Sequence, residues 1–269
     1  MADYWLDHLP INAICTAEAQ AIENFQRRSH RRYGAKLAAT PAFTRRHRNP
    51  YREWIGAQIR ADGWAYVCAG EPELAAEFAY RDACWTHERN GIYGAMLFAA
   101  IEAAAFVEPD PARLLEIGLS EIPAECRLAQ LVRSCVNWVG ECADFEACME
   151  RVEGECGPMS PVHTLNNALI CALALLYGQM DGTRSPAVAV MCGHDTDCNG
   201  ATVGSIVGAT LGRSGLGEKL AARLNDSIRP AMIGFEHVTM SELARRTYAQ
   251  WQRVAAYQKA RPLDQRPQL

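Results

Sequence analysis

Two stretches of this chain, Gly91–Val107 and Leu165–Tyr177, are apolar on nearly every side when wound as helices. A helix with one polar face can lie on a surface, but a helix without one must be surrounded. A fold containing two such helices is layered, with amphipathic helices outside and these two at the centre. The longest apolar run, Ile92–Val107, is interrupted by Glu102. It falls short of the ~20 residues that cross a bilayer and reads as a buried helix.

The remainder of the chain agrees with a helical fold. Ala, Leu and Glu dominate, and few segments alternate with period two. Helices are expected over Ala17–Arg31, Arg52–Ala61, Pro72–Trp85, Gly91–Val107, Pro111–Leu119, Glu125–Val139, Phe145–Glu153, Val162–Tyr177, Asp197–Leu211 and Ser241–Tyr257. Gly70, Asn90, Pro109, Pro123, Gly157, Pro161 and Pro230 separate or edge them. The best strand candidate, Ala187–Met191, fits equally as the end of a helix. The 269 residues are 49% hydrophobic and 22% charged, enough for one large core. With no repeat and no linker, an all-α single domain is expected.

The N-terminus, Met-Ala-Asp-Tyr-Trp-Leu, has an acid where a signal peptide would carry basic residues. The eleven cysteines are odd in number and form no C-x-x-C pair. They read as reduced, mostly buried thiols of a cytoplasmic protein, not as a disulfide framework or zinc site. Residues 27–52 hold nine Lys or Arg and no acid, within a chain of net charge -4. Such a run can track phosphates, but no stacking aromatics or nucleic-acid reader motif accompanies it, and a solvated face or irregular loop is expected.

The chemistry is concentrated in Gly193-His194-Asp195-Thr196-Asp197-Cys198-Asn199-Gly200. In extended backbone, residues two apart point the same way, so Asp195 and Asp197 aim both carboxylates at one point. Hard oxygen donors suit Mg²⁺, Mn²⁺ or Ca²⁺. Thr196 faces away and can cap the next helix, whose N-terminus also offers N–H groups to an anion. The plainer reading is an acidic helix start that complements the helix dipole. In the helix that follows, Gly200, Gly204, Gly208 and Gly212 recur every fourth residue, beside Ala201, Ser205 and Ala209. Each glycine costs a helix ~0.8–1 kcal/mol relative to Ala, so four in register lead us to expect very close approach of another helix.

Together these motifs resemble the ADP-ribosylglycohydrolase family, of the dinitrogenase-reductase-activating glycohydrolase type. The acidic turn and its glycine-spaced helix match the family's C-terminal signature. Four other stretches match in the family's order: Asn49–Asp62, Gly70–Ala75, His87–Gly94 and His163–Ala168. The resemblance covers about residues 4–237. It implies an all-α single orthogonal helical bundle with two Mg²⁺ ions (or Mn²⁺) at its centre, which cleaves the bond between C1″ of ADP-ribose and a protein side chain or another leaving group. It assigns Asp195 and Asp197 as metal ligands. The third position, commonly Ser or Thr in the family, is Cys198 here, and a thiol is a soft partner for Mg²⁺. It places Arg60, His87, Asn90 and Gly91 near the substrate. The alternatives are a salt bridge for Arg60 and a capping turn with a hydrogen-bonded imidazole for the other three. Asn166 and Asn167 are expected to satisfy buried backbone groups. No catalytic acid or base is assigned.

The family pattern also includes an N-terminal segment with a Gly-Asp turn, a general-acid/base Glu and an Asp-Asp-Thr-like run. This sequence holds no Asp-Asp pair and enters the pattern at Asp3-Tyr4-Trp5-Leu6. The expectation is an N-terminally truncated family fold, with core surface exposed to self-association or to a complementing N-terminal segment. ADP-ribose or an ADP-ribosylated substrate is the expected partner, with no membrane and no nucleic acid. Three readings follow: a metal-dependent hydrolase, an inactive ADP-ribose-binding module, or a truncated scaffold.

Overall fold

The computed structural model describes residues 7–8, 16–29, 40–216 and 222–260. Its helices are α1 (Thr16–Ser29), α2 (Pro41–Arg46), α3 (Gly56–Ile59), α4 (Asp62–Tyr66), α5 (Pro72–Ala83), α6 (Asn90–Ala104), α7 (Pro111–Ser120), α8 (Arg127–Glu141), α9 (Phe145–Cys156), α10 (Thr164–Gly178), α11 (Arg184–Met191), α12 (Thr196–Gly215) and α13 (Met240–Ala260). Among the described residues no strand forms, and two isolated bridges occur, Trp54 with His163 and Ile228 with Val238. The fold is all-α.

Helices α6 and α10 form the centre, as their composition requires. Every residue of α10 except Tyr177 is buried, and so is every residue of α6 except Asn90 and Tyr93. Helices α3, α4, α5 and α7 surround α6; α8, α9, α11 and α12 surround α10; and α6 touches α10. Helices α5 and α6 pack together, and both bury alanines: Ala75, Ala76, Ala79 and Ala83 on α5, and Ala95, Ala99 and Ala103 on α6. Small side chains let these two helices pack closely without voids. No helix of the described residues is long and apolar enough to cross a membrane.

Local chemistry sets the helix starts. Asp110 caps α7 through Arg113 N at 2.9 Å, with Pro111 in the first turn. Asp144 caps α9 through Ala147 N at 2.9 Å. Both follow the preference for a short side-chain acceptor at the N-cap. Pro41 opens α2, where its missing N–H does no harm.

Three expectations are corrected or, where strand and helix end had been left open, decided. The helix expected over Arg52–Ala61 is reduced to α3. Ahead of it Ile55 N donates to Val162 O at 3.0 Å, and Thr164 N donates to Glu53 O at 3.0 Å. These long-range bonds outweigh the local helical pattern. The strand candidate Ala187–Met191 is the second half of α11. The Asp181 side chain accepts from Thr183 N and Arg184 N at 2.9 and 2.7 Å and starts that helix.

The third correction concerns the glycine stripe. Among the described residues, side chains built at Gly204 or Gly212 would meet nothing within 4 Å, and one at Gly208 would make an ordinary 3.7 Å contact with Leu216. Gly200 alone of the four is tight, 3.0 Å from Val190. Helix α12 buries the opposite set, Thr202, Val203, Ile206 and Val207. Gly212 instead supplies a turn, with φ 64° and ψ 178° inside the helix. The closest approach lies elsewhere: a Cβ on Gly178 would stand 2.4 Å from Ser185 Cα, where α10 meets α11.

The basic segment is tied down where it is described; residues 30–39 lie outside the described residues. Arg45, Arg46 and Arg52 all pair with Glu88, Arg45 at 3.3 Å and Arg52 at 3.4 Å. Burial would raise the Glu88 carboxyl pKa, but hydrogen bonds from Arg46 and Arg45 outweigh it and hold the value below the usual range.

Candidate metal centre

The acidic turn joins α11 to α12. Helix α11 ends in a left-handed pair, Gly193 at φ 77° and His194 at φ 57°. Glycine adopts this region freely, and the histidine next to it is strained by about 1 kcal/mol or more. The two residues reverse the chain and deliver Asp195 to the N-cap position of α12. The Asp195 carboxylate lies close to the Cys198 N–H without the geometry of a capping hydrogen bond. Capping alone therefore does not account for it.

Asp195, Asp197 and Cys198 converge. One oxygen from each carboxylate and the Cys198 Sγ all lie within 4.8 Å of one another. Burial pushes the Asp195 carboxyl pKa up; the Cys198 thiol pulls it back, and the adjacent Asp197 carboxyl raises it again. Two carboxylates this close repel each other unless a proton or cation sits between them. Their oxygens fit a hard divalent ion, while the thiol is a poor match for one.

What holds the turn is a buried amide network at the start of α10. Asn167 Oδ1 accepts from Asp195 N at 3.3 Å and from Asn199 Nδ2 at 2.8 Å. Its Nδ2 donates to Pro161 O and His163 O, both at 2.8 Å. All four positions of this fully buried amide are filled. Asn166 Nδ2 donates to Ser160 O at 3.0 Å and to His194 Nδ1 at 3.1 Å. With Nδ1 accepting, His194 Nε2 carries the hydrogen and donates to Glu153 Oε1 of α9 at 2.5 Å. Cys171 Sγ closes the network on Asn199 Oδ1 at 3.5 Å.

Both asparagines satisfy backbone carbonyls, as the sequence suggested. They also position the turn, which the sequence did not show. Glu153 and His194 were missed; no local pattern links α9 to a turn so distant in the chain.

The other expected site residues are engaged with the protein itself. Arg60 donates Nε to Asp82 Oδ2 at 2.6 Å and Nη2 to Thr86 Oγ1 at 2.7 Å, and pairs with Glu18. This is the salt-bridge alternative, here partly buried and bracing α3 against α5 and α1. Burial alone would ease the guanidinium toward neutrality, but Asp82 and Glu18 hold it firmly charged. His87 is fully buried, with Nδ1 2.7 Å from Thr86 Oγ1. Burial brings its pKa down to about 4, against a raising pull from Glu18, with Arg60 lowering it further.

Asn90 Nδ2 donates to Glu53 at 2.8 Å, and its Oδ1 accepts from Leu128 N at 3.2 Å. A Cβ on Gly91 would stand 2.6 Å from Arg52 O. Asn90 and Gly91 therefore set the start of α6 against Arg52 and Glu53. The backbone of that segment pairs with Val162–Thr164, directly ahead of Asn166 and Asn167.

An all-α bundle with this half-exposed acidic turn at the start of α12 accords with the sequence profile of the ADP-ribosylglycohydrolase family, which matches residues 1–256. The chain belongs to that family. No curated protein and no solved structure matches it. As an ADP-ribosylglycohydrolase family member, the chain presents its Asp-Thr-Asp turn on a buried amide network, with a thiol at the third donor position.

Proposed function

We propose that this chain is a metal-dependent hydrolase that cleaves the glycosidic bond between ADP-ribose and a protein side chain or related leaving group. The observation that carries this reading is the convergence of Asp195, Asp197 and Cys198 within 4.8 Å on a turn held by Asn167. Asp195 and Asp197 would hold Mg²⁺ or Mn²⁺, with Cys198 at the third position. When bound, such an ion supplies a Lewis acid for the anionic diphosphate-ribose or for water.

The chain's own contribution is electrostatic and geometric. Departure at an anomeric carbon builds oxocarbenium character, and the part of the Asp195–Asp197 pair would be to keep the ion in one place while that charge develops. Asn167, which accepts from the Asp195 N–H, and His194, held by Asn166, fix the backbone that carries the pair. In this reading Arg60, His87, Asn90 and Gly91 form the wall behind the site, setting Glu53–Ile55 against Val162–Thr164.

A second reading, an ADP-ribose-binding module without turnover, is favoured by the donor set. Among the described residues the cluster holds two carboxylates and one thiol, few donors for two hard ions. Calorimetry with ADP-ribose in Mg²⁺ and then in EDTA, alongside chromatographic assay of ADP-ribose release from ADP-ribosylated protein, separates the two. Metal-dependent binding with release supports the hydrolase, and binding without release supports the module. Binding that survives both EDTA and Asp195→Asn would defeat the metal-site reading altogether.

A further inference from the structure

The inference concerns the corner between α8 and α9, away from the acidic turn. Helix α8 ends at Glu141, and Cys142 follows as its C-cap in extended backbone, φ −82° and ψ 146°. Asp144 then caps α9. Cys142 is thus two residues ahead of a helix cap, and Cys148 is the fourth helical residue after it. Only Ala143 and the cap separate Cys142 from α9, and Cys148 stands at the end of that helix's first turn, so both cysteines lie at one corner of the fold.

The Cys142 and Cys148 side chains lie within interaction range of each other, and the Tyr177 side chain reaches both cysteines. The Tyr177 hydroxyl donates to Cys142 O at 3.4 Å. Across the corner, Arg151 Nη1 pairs with Glu141 Oε2 at 2.5 Å. Two contacts from outside the pair therefore hold the corner closed. Cys142 is half-buried and Cys148 fully buried. The neighbouring Cys135 is also fully buried, with its Sγ 3.7 Å from Leu169 O.

We propose that Cys142 and Cys148 are a reversible oxidation site, closing to an intrachain disulfide on reaction with a low-molecular-weight disulfide such as glutathione disulfide. Cys142, the more exposed, loses its proton and attacks one sulfur of glutathione disulfide. A mixed disulfide forms, and the first glutathione leaves as a thiolate. Cys148 then loses its proton and attacks the Cys142 sulfur, forming the protein disulfide and expelling the second glutathione. The two protons end on the two departing thiolates; the cysteine pair is oxidised and glutathione disulfide is reduced. Burial pushes the Cys148 pKa up to about 11, which makes it the resolving thiol and makes closure faster at alkaline pH. The site lies on the helix that carries Glu153, the partner of His194.

The test uses the full chain equilibrated in glutathione buffers of increasing oxidised fraction, quenched in acid, unfolded, alkylated and digested with trypsin. Peptide 134–151 carries Cys135, Cys142 and Cys148 and no internal cleavage site. The expected result is loss of two of its three alkyl groups, a peptide about 2 Da lighter than the unalkylated trithiol before the remaining label, and reversal by excess reduced glutathione. Fragmentation should pair Cys142 with Cys148. In Cys148→Ser, glutathione should accumulate on Cys142 and stay there. Three alkylated thiols at every buffer ratio overturn the proposal. So does a pair that includes Cys135, or a glutathione adduct on Cys142 that persists in the unmutated chain.

Discussion

Gly178→Ala is the substitution for which the packing makes the sharpest demand. The added methyl would stand 2.4 Å from Ser185 Cα and 2.6 Å from Ser185 Cβ. Carbon atoms rest at about 3.5–4.0 Å, so the backbone of α11 must retreat by about 1 Å. Forcing an extra methyl into a packed contact costs about 1–3 kcal/mol, while Ala in place of Gly in a helix returns up to about 1 kcal/mol. A net loss of about 1–2 kcal/mol follows. Helix α11 leads directly into the acidic turn, so Mn²⁺ affinity should fall as well. Gly204→Ala is the internal control. Its new methyl meets nothing within 4 Å, so helix propensity acts alone and the chain should gain about 0.5–1 kcal/mol. Urea unfolding followed by circular dichroism at equal protein concentration measures both. An unchanged midpoint for Gly178→Ala would refute the packing argument. A loss above about 0.5 kcal/mol for Gly204→Ala would mean that the open face of α12 is occupied in solution.

Further outcomes can be checked independently. His87 has its pKa lowered from 6.5 to about 4, so the unfolded chain binds the proton more tightly. Its contribution is complete above pH 6.5 and is lost as pH falls toward 4, about 3 kcal/mol in all, and His87→Gln should flatten that part of the stability–pH curve. Glu102 is fully buried beside Asp62, and burial first, then Asp62, pushes its pKa well above the usual value. The folded chain therefore holds the proton more tightly, and stability declines as pH rises above the unfolded value; Glu102→Gln should remove that decline, read from urea midpoints at pH 6 and pH 9. Asn167→Ala leaves Asp195 N, Asn199 Nδ2 and two carbonyls without this partner. A loss of about 2–3 kcal/mol is expected, with Mn²⁺ affinity down about 10–100-fold by titration. Affinity that stays intact would show that the turn holds its shape without the amide.

The sequence made the central helices legible because an apolar residue at every angle leaves a helix nowhere to go but inside; Phe98, Ile101, Leu169 and Leu173 are all fully buried. The acidic turn was legible for a related reason: Asp195, Asp197 and Cys198 are neighbours in the chain, so their convergence is a local event. What escaped reading depends on distant partners. Residues 52–55 have a helical pattern, but Arg52 O accepts from Glu88 N and residues 53–55 pair their backbone with Val162–Thr164. The Ala187–Met191 stretch looked equally suited to a strand, and a side chain several residues upstream, Asp181, started the helix. Glycine spacing showed which face of α12 lacks side chains but not what stands opposite it. The glycine under real steric demand, Gly178, is unremarkable in sequence until Ser185 is placed against it. Arg60 looked like a ligand contact because it is a cation in a matching motif; its pairing with Asp82 and Glu18 appears only once α1 and α5 are docked.

The Asn167 amide has all four of its hydrogen-bonding positions filled, and it grips both ends of the loop problem: the entry to α10 and the entry to α12. A side chain in that condition gives the turn no slack. In the proposed metal site, an ion between Asp195 and Asp197 would meet a backbone that cannot shift without breaking these buried bonds. Selectivity at such a seat is decided by the identity of the donor atoms and not by adjustment of the loop. In that proposal, residue 198 is the position at which a single atom, sulfur in place of oxygen, would set which ion is preferred.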